Sequence, residues 1–338
     1  MSLMNTQIHL VSRPMGEPST ANFARVEVPV PELQEGQVLV RHQFLSLDPY
    51  MRGRMNESKS YAEPQPLNTT MIGGTVGVVE ASRHPAFAPG DAVVGMGGWQ
   101  RYSVVDARQP GMLRKVDTRL PIAAYLGAVG MPGVTAWYGL TQIMQPKEGQ
   151  TITVSAASGA VGGAVGQLAK VRGCRVVGIA GGPDKCAYVR DELGFDDCID
   201  YKAHGDLRSM LGALKAACPQ GIDAHFENVG GLMLDSVMLR TNAFARIAVC
   251  GMIAGYNGEP LPMANPALIL VNRLLIQGFI VSEHMELWPQ ALKELGTLVA
   301  QGRLKYRETI AEGLDAAPEA FLGLLKGRNF GKQLVRID

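Results

Sequence analysis

Positions 156 to 163 hold a run of small residues in which glycine recurs every third place. The segment reads Ala-Ala-Ser-Gly-Ala-Val-Gly-Gly, an A-x-x-G-x-x-G spacing. Small residues at these positions allow a tight turn, a close approach to a pyrophosphate, and packing of the next helix on the preceding strand. The first N–H groups of that helix then face the anion. Because the motif alone is equally typical of an ordinary glycine-rich turn, its context in the chain decides between the two interpretations.

A second segment indicates which dinucleotide would bind. A site for NAD usually has Asp or Glu about 20 residues after the glycines, where it binds the ribose hydroxyls. This chain has Gly181-Gly182-Pro183-Asp184-Lys185 instead. The strand tip is glycine, so nothing there repels a 2′-phosphate, and Lys185 supplies a cation. Asp184 fits a helix N-cap. We therefore expect NADPH rather than NADH, although Lys185 would also suit a solvated position on a helix.

Residues for metal or hydrolytic chemistry do not cluster in the sequence. No cysteine precedes position 174, no two histidines stand at ligand spacing, and no G-x-S-x-G segment occurs. Zinc sites in proteins need grouped cysteine, histidine and carboxylate ligands. The sequence therefore predicts no metal site, and each histidine is more typical of a surface or hydrogen-bonded position. The histidines are His9, His42, His84, His204, His225 and His284.

Strands and helices alternate in the second part of the chain, which gives the glycine turn its context. Short apolar runs predict strands at 151–155, 175–179, 198–201, 224–228, 245–250 and 275–281. Helical patterns follow the first two strands, over 160–172 and 184–193. Repeated strand–helix units predict a parallel sheet with helices on both faces. The glycine turn then joins a strand to a helix, which favours a dinucleotide site over an ordinary turn.

The first part of the chain reads as short strands broken by turns. Alternating or apolar runs predict strands at 37–45, 74–80, 91–95 and 100–105, and a last strand at 332–337. A single short strand cannot stand alone, so we expect the last one to join the sheet of the first part. The sequence thus predicts an α/β protein in two domains, a β-rich domain of residues 1–128 plus 315–338 and a parallel-sheet domain of residues 129–314.

Composition excludes several classes of protein. The 338 residues carry a formal net charge of +1, with 32 Lys and Arg against 31 Asp and Glu, so a nucleic-acid partner is not expected. No apolar run approaches the roughly 20 residues that cross a bilayer, and no signal-like segment opens the chain. Five scattered cysteines, an odd number, argue against a disulfide framework. These features predict a cytoplasmic protein without membrane partners.

Several longer segments resemble one known family over essentially the whole chain. They are Leu45-Ser46-Leu47-Asp48-Pro49-Tyr50-Met51-Arg52, Gly130-Met131-Pro132-Gly133-Val134-Thr135-Ala136, Glu227-Asn228-Val229-Gly230-Gly231, positions 250–257, and positions 327–332 around Asn329. The chain resembles the medium-chain dehydrogenase/reductases, and within them the zinc-free branch of the prostaglandin reductases. Zinc-dependent relatives carry Cys near position 46 and Gly-His-Glu near position 74, where this chain has Ser46 and Gly73-Gly74-Thr75.

The resemblance implies a fold, a cofactor and an assembly. The β-rich domain would be the GroES-like catalytic domain and the parallel-sheet domain a Rossmann domain that binds NADPH. Homodimers are common in the family, so a homodimer is expected. Lys185 and Tyr201 would hold the 2′-phosphate, although Tyr201 would also suit an aromatic at a strand end, and Asn228 and Asn329 would also suit turns. The cofactor contacts so implied are Met131, Thr135, Gly159, Ala160, Val161, Gly162, Gly181, Lys185, Tyr201, Asn228, Cys250, Gly251, Tyr256, Phe279, Ile280, Val281 and Asn329.

The reaction implied by the resemblance is reduction of the carbon–carbon double bond in apolar α,β-unsaturated ketones or aldehydes. A hydride goes to the β-carbon and a proton to the α-carbon, and negative charge builds on the carbonyl oxygen between the two events. Without a metal, a hydrogen-bond donor must stabilise that enolate. Tyr256 is the candidate, since its loop follows a strand at the edge where such sheets bind ligands. A Tyr that only packs over the loop is equally compatible with the sequence alone.

Three residues of the first domain are candidates for the substrate side. Tyr50, Met51 and Arg52 would line an apolar, adaptable pocket. The alternative is that Tyr50 and Met51 belong to the core and Arg52 to the surface.

Two other functions also stay open, a zinc-free quinone oxidoreductase and a protein that binds NADPH without catalysing a reaction.

Overall fold

The computed structural model describes residues 3–109 and 111–337, and the chain divides into two compact units. Unit 1 comprises Met1–Leu126 and Glu308–Asp338, and unit 2 comprises Gly127–Arg307. The expected division at positions 128 and 314 differs by two residues at the first boundary and by seven at the second. The second difference arises because residues 308–312 form a strand that pairs within unit 1.

The N-terminal part of unit 1 consists mainly of short strands. In chain order its elements are β1 (Met4–Leu10), β2 (Phe23–Pro29), β3 (Gln37–Ser46), α1 (Tyr50–Arg54), β4 (Thr69–Thr70), β5 (Thr75–Ser82), β6 (Ala92–Gly95), β7 (Tyr102–Asp106) and β8 (Leu113–Lys115).

Unit 2 alternates strands and helices, as the apolar pattern predicts. Its elements are α2 (Met131–Tyr138), β9 (Thr151–Ser155), α3 (Ala160–Val171), β10 (Arg175–Ala180), α4 (Pro183–Ala187), β11 (Asp197–Asp200), α5 (Leu207–Ala217), β12 (Ile222–Glu227), α6 (Leu232–Met238), β13 (Thr241–Val249), α7 (Ala267–Val271), β14 (Leu275–Gly278) and α8 (Trp288–Ala300). The chain then returns to unit 1 with β15 (Glu308–Glu312), α9 (Ala317–Leu325) and β16 (Lys332–Arg336).

One six-stranded sheet organises unit 2. Its strand order is β11-β10-β9-β12-β13-β14, and every neighbouring pair is parallel. Counted along the chain this is the order 3-2-1-4-5-6 of a Rossmann sheet. Val176 and Val177 point to opposite faces of β10 and both are fully buried, so helices cover both faces, as in parallel sheets generally. The predicted fold of this half is confirmed.

Several helix and strand ends in unit 2 differ from expectation. The strand expected over 245–250 is longer, as β13 (Thr241–Val249), and two further differences follow. The helix expected over 184–193 begins at Pro183 as α4 and continues as a π-helical turn, Tyr188–Glu192. The strand expected over 275–281 ends at Gly278, because β14 pairs with β13 only as far as Val249. Residues 279–281 therefore lie beyond the carboxyl edge of the sheet, where parallel sheets bind their ligands.

Two sheets build the β-rich unit 1, and their strand pairs are antiparallel except for the parallel pair of β15 and β16. One has the order β2-β1-β4 and the other β15-β16-β3-β5-β6-β8, with β7 also paired to β3. Strand β16 pairs with β3, so the C-terminal strand joins the sheet of the first part, as its β pattern predicts. An aromatic cluster forms the core, in which the Trp99 ring stacks on Phe23 at 5.3 Å and meets the edge of Phe321 at 5.7 Å.

Within residues 3–109 and 111–337, every helix is too short or too polar to span a lipid bilayer.

Candidate functional site

The turn between β9 and α3 has the geometry that a pyrophosphate requires. Ala156 adopts a left-handed φ of 50°, and α3 begins beyond Gly159, its N-cap. A Cβ at Gly162 would lie 2.4 Å from the carbonyl oxygen of Ala156. Only glycine therefore lets α3 approach the turn so closely. The N–H groups of the first turn of α3 are left to face an anion, so this cradle fits the phosphates of a dinucleotide.

A cationic corner lies at the ends of β10 and β11. A Cβ at Gly181 would lie 2.8 Å from the Tyr201 ring and 3.1 Å from Cε of Lys202. Burial and the nearby charge of Lys202 hold the pKa of Lys185 below its ordinary value. Lys185, Tyr201 and Lys202 are thus brought to one corner, beside a glycine with no side chain in the way. This corner suits a dianionic 2′-phosphate.

Two aspartates near this corner have structural tasks. The Oδ1 atom of Asp200 accepts hydrogen bonds from the N–H groups of Gly182 (2.7 Å) and Lys202 (3.0 Å). The carboxylate of Asp200 thus holds together the chain segments that follow β10 and β11. Asp184 was expected at the N-cap of the helix, but Gly182 occupies the N-cap of α4 and Asp184 lies in the first turn. A carboxylate in the first turn still interacts favourably with the helix dipole.

Asn228 and the 250–256 loop lie at the carboxyl edge of the same sheet. The N–H of Asn228 donates to Oγ of Ser155 (2.7 Å), and its Nδ2 donates to the Ser155 carbonyl (2.8 Å). The N–H groups of Cys250 and Gly251 both donate to the Glu227 carbonyl. A Cβ at Gly251 would lie 3.1 Å from the Tyr256 hydroxyl. The phenol of Tyr256 therefore folds back over the loop, next to the turn that carries Asn228.

The surroundings of Cys250 favour the protonated thiol over the thiolate. Burial and the charge of Glu227 raise its pKa to about 12, so it stays protonated at neutral pH. A protonated thiol is neither a nucleophile nor a metal ligand, and any contact of Cys250 with a cofactor is then non-covalent.

Residues after β14 pack against α2. The Phe279 ring stacks on Tyr138 at 5.2 Å and meets the edge of Phe226 at 6.2 Å. The carbonyl of Val281 accepts a hydrogen bond from the Trp288 indole (3.1 Å). On α2, the Thr135 hydroxyl donates to the Met131 carbonyl (2.8 Å). The structure thus links the two predicted contact segments, 279–281 and α2.

The predicted substrate residues of unit 1 differ in exposure. Met51 is fully buried in the core, and Arg52 is 2% exposed. The Arg52 guanidinium donates to Oδ1 of Asn56 (2.6 Å) and to the Gly16 carbonyl (2.7 Å). Both side chains are thus buried, and their predicted contact with substrate stays a prediction. Tyr50 is partly exposed, and burial together with the charge of Asp48 raises the pKa of its phenol.

Asn329 lies in a turn of unit 1. Its Nδ2 donates to the carbonyl of Gly331 (2.7 Å), a residue with a left-handed φ of 67°. This bond stabilises the turn, which is the alternative that its sequence context allowed. The side chain is partly exposed, so a contact with a cofactor stays a prediction.

Known proteins match the chain over nearly its full length. A family described as the N-terminal domain of oxidoreductase matches residues 6–113, and one described as zinc-binding dehydrogenase matches residues 160–297. The NADPH-dependent curcumin reductase of Escherichia coli (strain K12) is 44% identical, over 97% of this chain and 95% of its own. The 2-alkenal reductase (NADP⁺-dependent) of Nicotiana tabacum is 40% identical, over 99% and 98%. The crystal structure of CurA in complex with NADPH from Vibrio vulnificus superposes with a TM-score of 0.92, at 45% identity and with coverage of 98% and 99%.

The chain belongs to the medium-chain dehydrogenase/reductase family. The family resemblance of its motifs is thereby confirmed, and with it the combination of a Rossmann sheet and a separate β-rich unit. This medium-chain reductase falls among relatives named for curcumin, 2-alkenal and prostaglandin reduction.

The second family is described as zinc-binding, but this medium-chain reductase lacks a group of side chains that could bind zinc in the described part of the chain. Across the described ranges, no three His, Cys, Asp or Glu side chains lie close enough together to hold a metal ion. The Ser46 hydroxyl donates to the carboxylate of Asp48. His42 is buried, with Nδ1 2.9 Å from the Gln100 carbonyl and Nε2 2.8 Å from Oγ of Ser103.

Lys202 is the member of the cationic corner that sequence reasoning missed. It directly follows Tyr201, at the end of the strand that neighbours the one ending before Gly181. A lysine at the tip of the adjacent parallel strand is the signal that would have identified it. The strand order must be known for that signal to be read, since residues 181 and 202 are adjacent only when β10 and β11 pair.

Proposed function

We propose that this protein reduces the carbon–carbon double bond of α,β-unsaturated ketones and aldehydes with NADPH. The observation that carries the proposal is the full-length similarity to reductases named for such substrates and cofactor, at 40 to 44% identity. The phosphate cradle and the cationic corner support it, because both lie at the carboxyl edge of one parallel sheet. The substrate is apolar and small, and its carbonyl oxygen is the group that the protein must recognise.

The cofactor would be held by the carboxyl edge of unit 2. NADPH supplies the hydride when bound. The cradle from Gly159 to Gly162 would bind its pyrophosphate, and Lys185, Tyr201 and Lys202 would bind its 2′-phosphate beside Gly181. Further proposed contacts are Met131, Thr135, Asn228, Cys250, Gly251, Tyr256, Phe279, Ile280, Val281 and Asn329.

Tyr256 is the proposed catalytic donor. Its hydroxyl would donate a hydrogen bond to the carbonyl oxygen as negative charge develops there, which lowers the barrier to formation of the enolate. Tyr50 is the proposed substrate contact in unit 1, because the residue is partly exposed and the raised pKa of its phenol keeps the hydroxyl protonated as a donor.

Turnover with a panel of enones and quinones tests the function. We expect NADPH to be consumed with enones and the saturated ketone or aldehyde to appear in equal amount, measured by absorbance and by mass spectrometry of the product. Consumption with quinones alone, and no saturated ketone, would instead identify a quinone oxidoreductase. Tight NADPH binding without turnover of any member of the panel would identify a protein that only binds the cofactor.

Tyr256→Phe tests the catalytic donor. Removing one preorganised donor to an oxyanion lowers kcat by up to about 10²- to 10³-fold, and we expect less where a hydroxyl of the bound nucleotide shares the hydrogen bond. The affinity for NADPH, measured by quenching of protein fluorescence, should change little, since the phenyl ring remains. An unchanged kcat in this variant would contradict the assigned role.

We further propose that the protein is a homodimer of the cytoplasm. Strand β14 ends the strand order of the parallel sheet, and apolar side chains are exposed nearby. Phe244 is 69% exposed and Leu270 80%. An open strand edge with apolar neighbours is the kind of surface that a second copy covers. All five cysteines are free thiols, which supports a reducing compartment.

A further inference from the structure

Glu227 is a fully buried carboxylate to which the proposed mechanism gives no task. Its Oε1 accepts hydrogen bonds from Oγ of Ser155 (2.7 Å) and from the N–H groups of Val229 (2.5 Å) and Gly230 (3.0 Å). Its Oε2 lies 2.9 Å from Nε2 of His225. Burial alone would raise the pKa of Glu227, but these donors outweigh burial and lower it, so the group is ionised at working pH. Three donors converging on one oxygen need the strong acceptor that a carboxylate provides.

The 250–254 segment is attached to the turn that this carboxylate holds. The Glu227 carbonyl accepts from the N–H groups of Cys250 (2.9 Å) and Gly251 (3.2 Å). The Asn228 carbonyl accepts from Ile253 (3.2 Å), and the Val229 carbonyl accepts from Ala254 (3.0 Å). These four backbone hydrogen bonds fix the segment to residues 227–229. Any movement of that turn is therefore passed on to the loop.

The loop in turn sets the place of the Tyr256 phenol. The N–H of Tyr256 donates to the Ile253 carbonyl (3.2 Å), and its hydroxyl lies over Gly251. Leu261 packs into the space left by Gly230 and Gly255, since a Cβ at either glycine would lie 2.9 Å from its Cδ1. The turn and the loop thus share apolar contacts as well as hydrogen bonds.

We propose that Glu227 is a positioning residue for the reaction, which holds the 228–230 turn and through it the loop that carries Tyr256. The inference rests on the proposed catalytic role of Tyr256. It assigns to the ionised carboxylate a task beyond stability, because a donor displaced by about 1 Å from the reacting oxygen can lose up to 10²-fold in rate.

A double-mutant cycle of Glu227→Gln and Tyr256→Phe tests this inference. Glutamine keeps the shape of the side chain, but its neutral carbonyl accepts the three hydrogen bonds more weakly. We expect Glu227→Gln alone to lower kcat for enone reduction by roughly 10- to 100-fold. In the Tyr256→Phe background we expect the same substitution to change kcat by no more than about twofold, the usual error of additivity. Such non-additivity is typical of residues that act through one another.

Asp223→Asn is the matched control. Asp223 lies on the same strand, its Oδ2 accepts from the Thr151 N–H (2.8 Å), and its Oδ1 accepts from Nδ2 of Asn242 (2.8 Å). The substitution is the same change from carboxylate to amide, but these partners lie at the amino-terminal end of the sheet. We expect a loss of thermal stability comparable to that of Glu227→Gln, with kcat unchanged in both backgrounds.

The outcomes separate this inference from the proposed function. If Tyr256→Phe does not slow turnover, the catalytic role of Tyr256 fails and the inference fails with it. If Tyr256→Phe slows turnover but Glu227→Gln has no effect, or the same effect in both backgrounds, only the inference fails. Should Glu227→Gln not fold, Ser155→Ala replaces it in the cycle, because it removes one donor to Oε1 and the acceptor of the Asn228 N–H. The same non-additivity is then expected.

Discussion

At the scale of single residues, two lysines account for the expected choice of NADPH. Lys202 lies beside Gly181, and its charge contributes to lowering the pKa of Lys185. Two like charges in one corner repel each other until an anion lies between them. A 2′-phosphate relieves that repulsion, whereas the ribose hydroxyl of NADH does not.

Lys202→Met tests the cationic corner through affinity. Because Lys202 is exposed and charged pairs at a surface contribute modestly, we expect a two- to fivefold rise in Kd for NADPH, on the order of 1 kcal/mol or less. Lys185→Met should raise it about tenfold or more, since Lys185 is partly buried. Titration of protein fluorescence measures both. The affinity for NADH serves as control and should not fall in either variant.

The binding of NADPH should weaken as the pH rises. The pKa of Lys185 is lowered in the free protein, and a bound anion raises it. The affinity for NADPH is therefore highest at a pH below the pKa that Lys185 has in the free protein. It declines as the pH rises through that pKa. Removing the charge of Lys202 raises that pKa, so Lys202→Met should move the alkaline decline to higher pH. A decline that stays at the same pH would contradict the coupling of the two lysines.

Arg52 is buried, and its hydrogen bonds are expected to stabilise unit 1. Arg52→Ala leaves the Asn56 side chain and the Gly16 carbonyl without their donor and opens a cavity in the core of unit 1. We expect a loss of about 3 kcal/mol in the free energy of unfolding, measured with urea. KM for an enone should stay the same at a temperature where the variant is folded. A raised KM with unchanged stability would restore the expected contact with substrate.

At the scale of elements, the contact of α3 with its turn depends on one missing methyl group. Gly162→Ala would place a Cβ 2.4 Å from the Ala156 carbonyl oxygen, so α3 must move away from the cradle. We expect a loss of about 1–3 kcal/mol in stability and weaker binding of NADPH. Gly212→Ala is the control, because Gly212 lies inside α5 with nothing within 4 Å of the added Cβ. That variant should gain about 0.5–1 kcal/mol and bind NADPH normally, as calorimetry and titration would show.

Local patterns predicted the strands of the Rossmann sheet well, because parallel strands are buried on both faces and read as apolar runs. Strand β9 was expected at 151–155 and has these bounds. Features that depend on pairing between distant parts of the chain could not be predicted from local patterns. Strand β15 escaped detection because it pairs with β16, 24 positions further along the chain, and the place of Lys202 depends on strand order. The burial of Met51 and Arg52 is likewise a property of the packed unit, which no local pattern of residues conveys.

At the scale of the whole molecule, the apolar surface near the open edge of β14 bears on assembly. Leu270→Asp places a charge on a side chain that is 80% exposed, so a monomer should tolerate it. A dimer that covers this surface should dissociate, because an unpaired charge would be buried. Light scattering coupled to gel filtration measures the mass. Met15→Asp, at a residue 96% exposed in unit 1, is the control and should leave the mass unchanged. A monomeric unmodified protein would contradict the proposed assembly.

The protonation state of the five cysteine thiols affects how readily the proposed substrates can alkylate the protein. Enones and enals are alkylating agents, and they attack proteins mainly by conjugate addition of cysteine thiolates. Burial raises the pKa of every cysteine in the chain, to about 11 at Cys218 and about 12 at Cys250. At neutral pH the thiols are therefore held mainly in the protonated form. Because the protonated form reacts slowly with such electrophiles, we expect the thiols to resist alkylation by the proposed substrates.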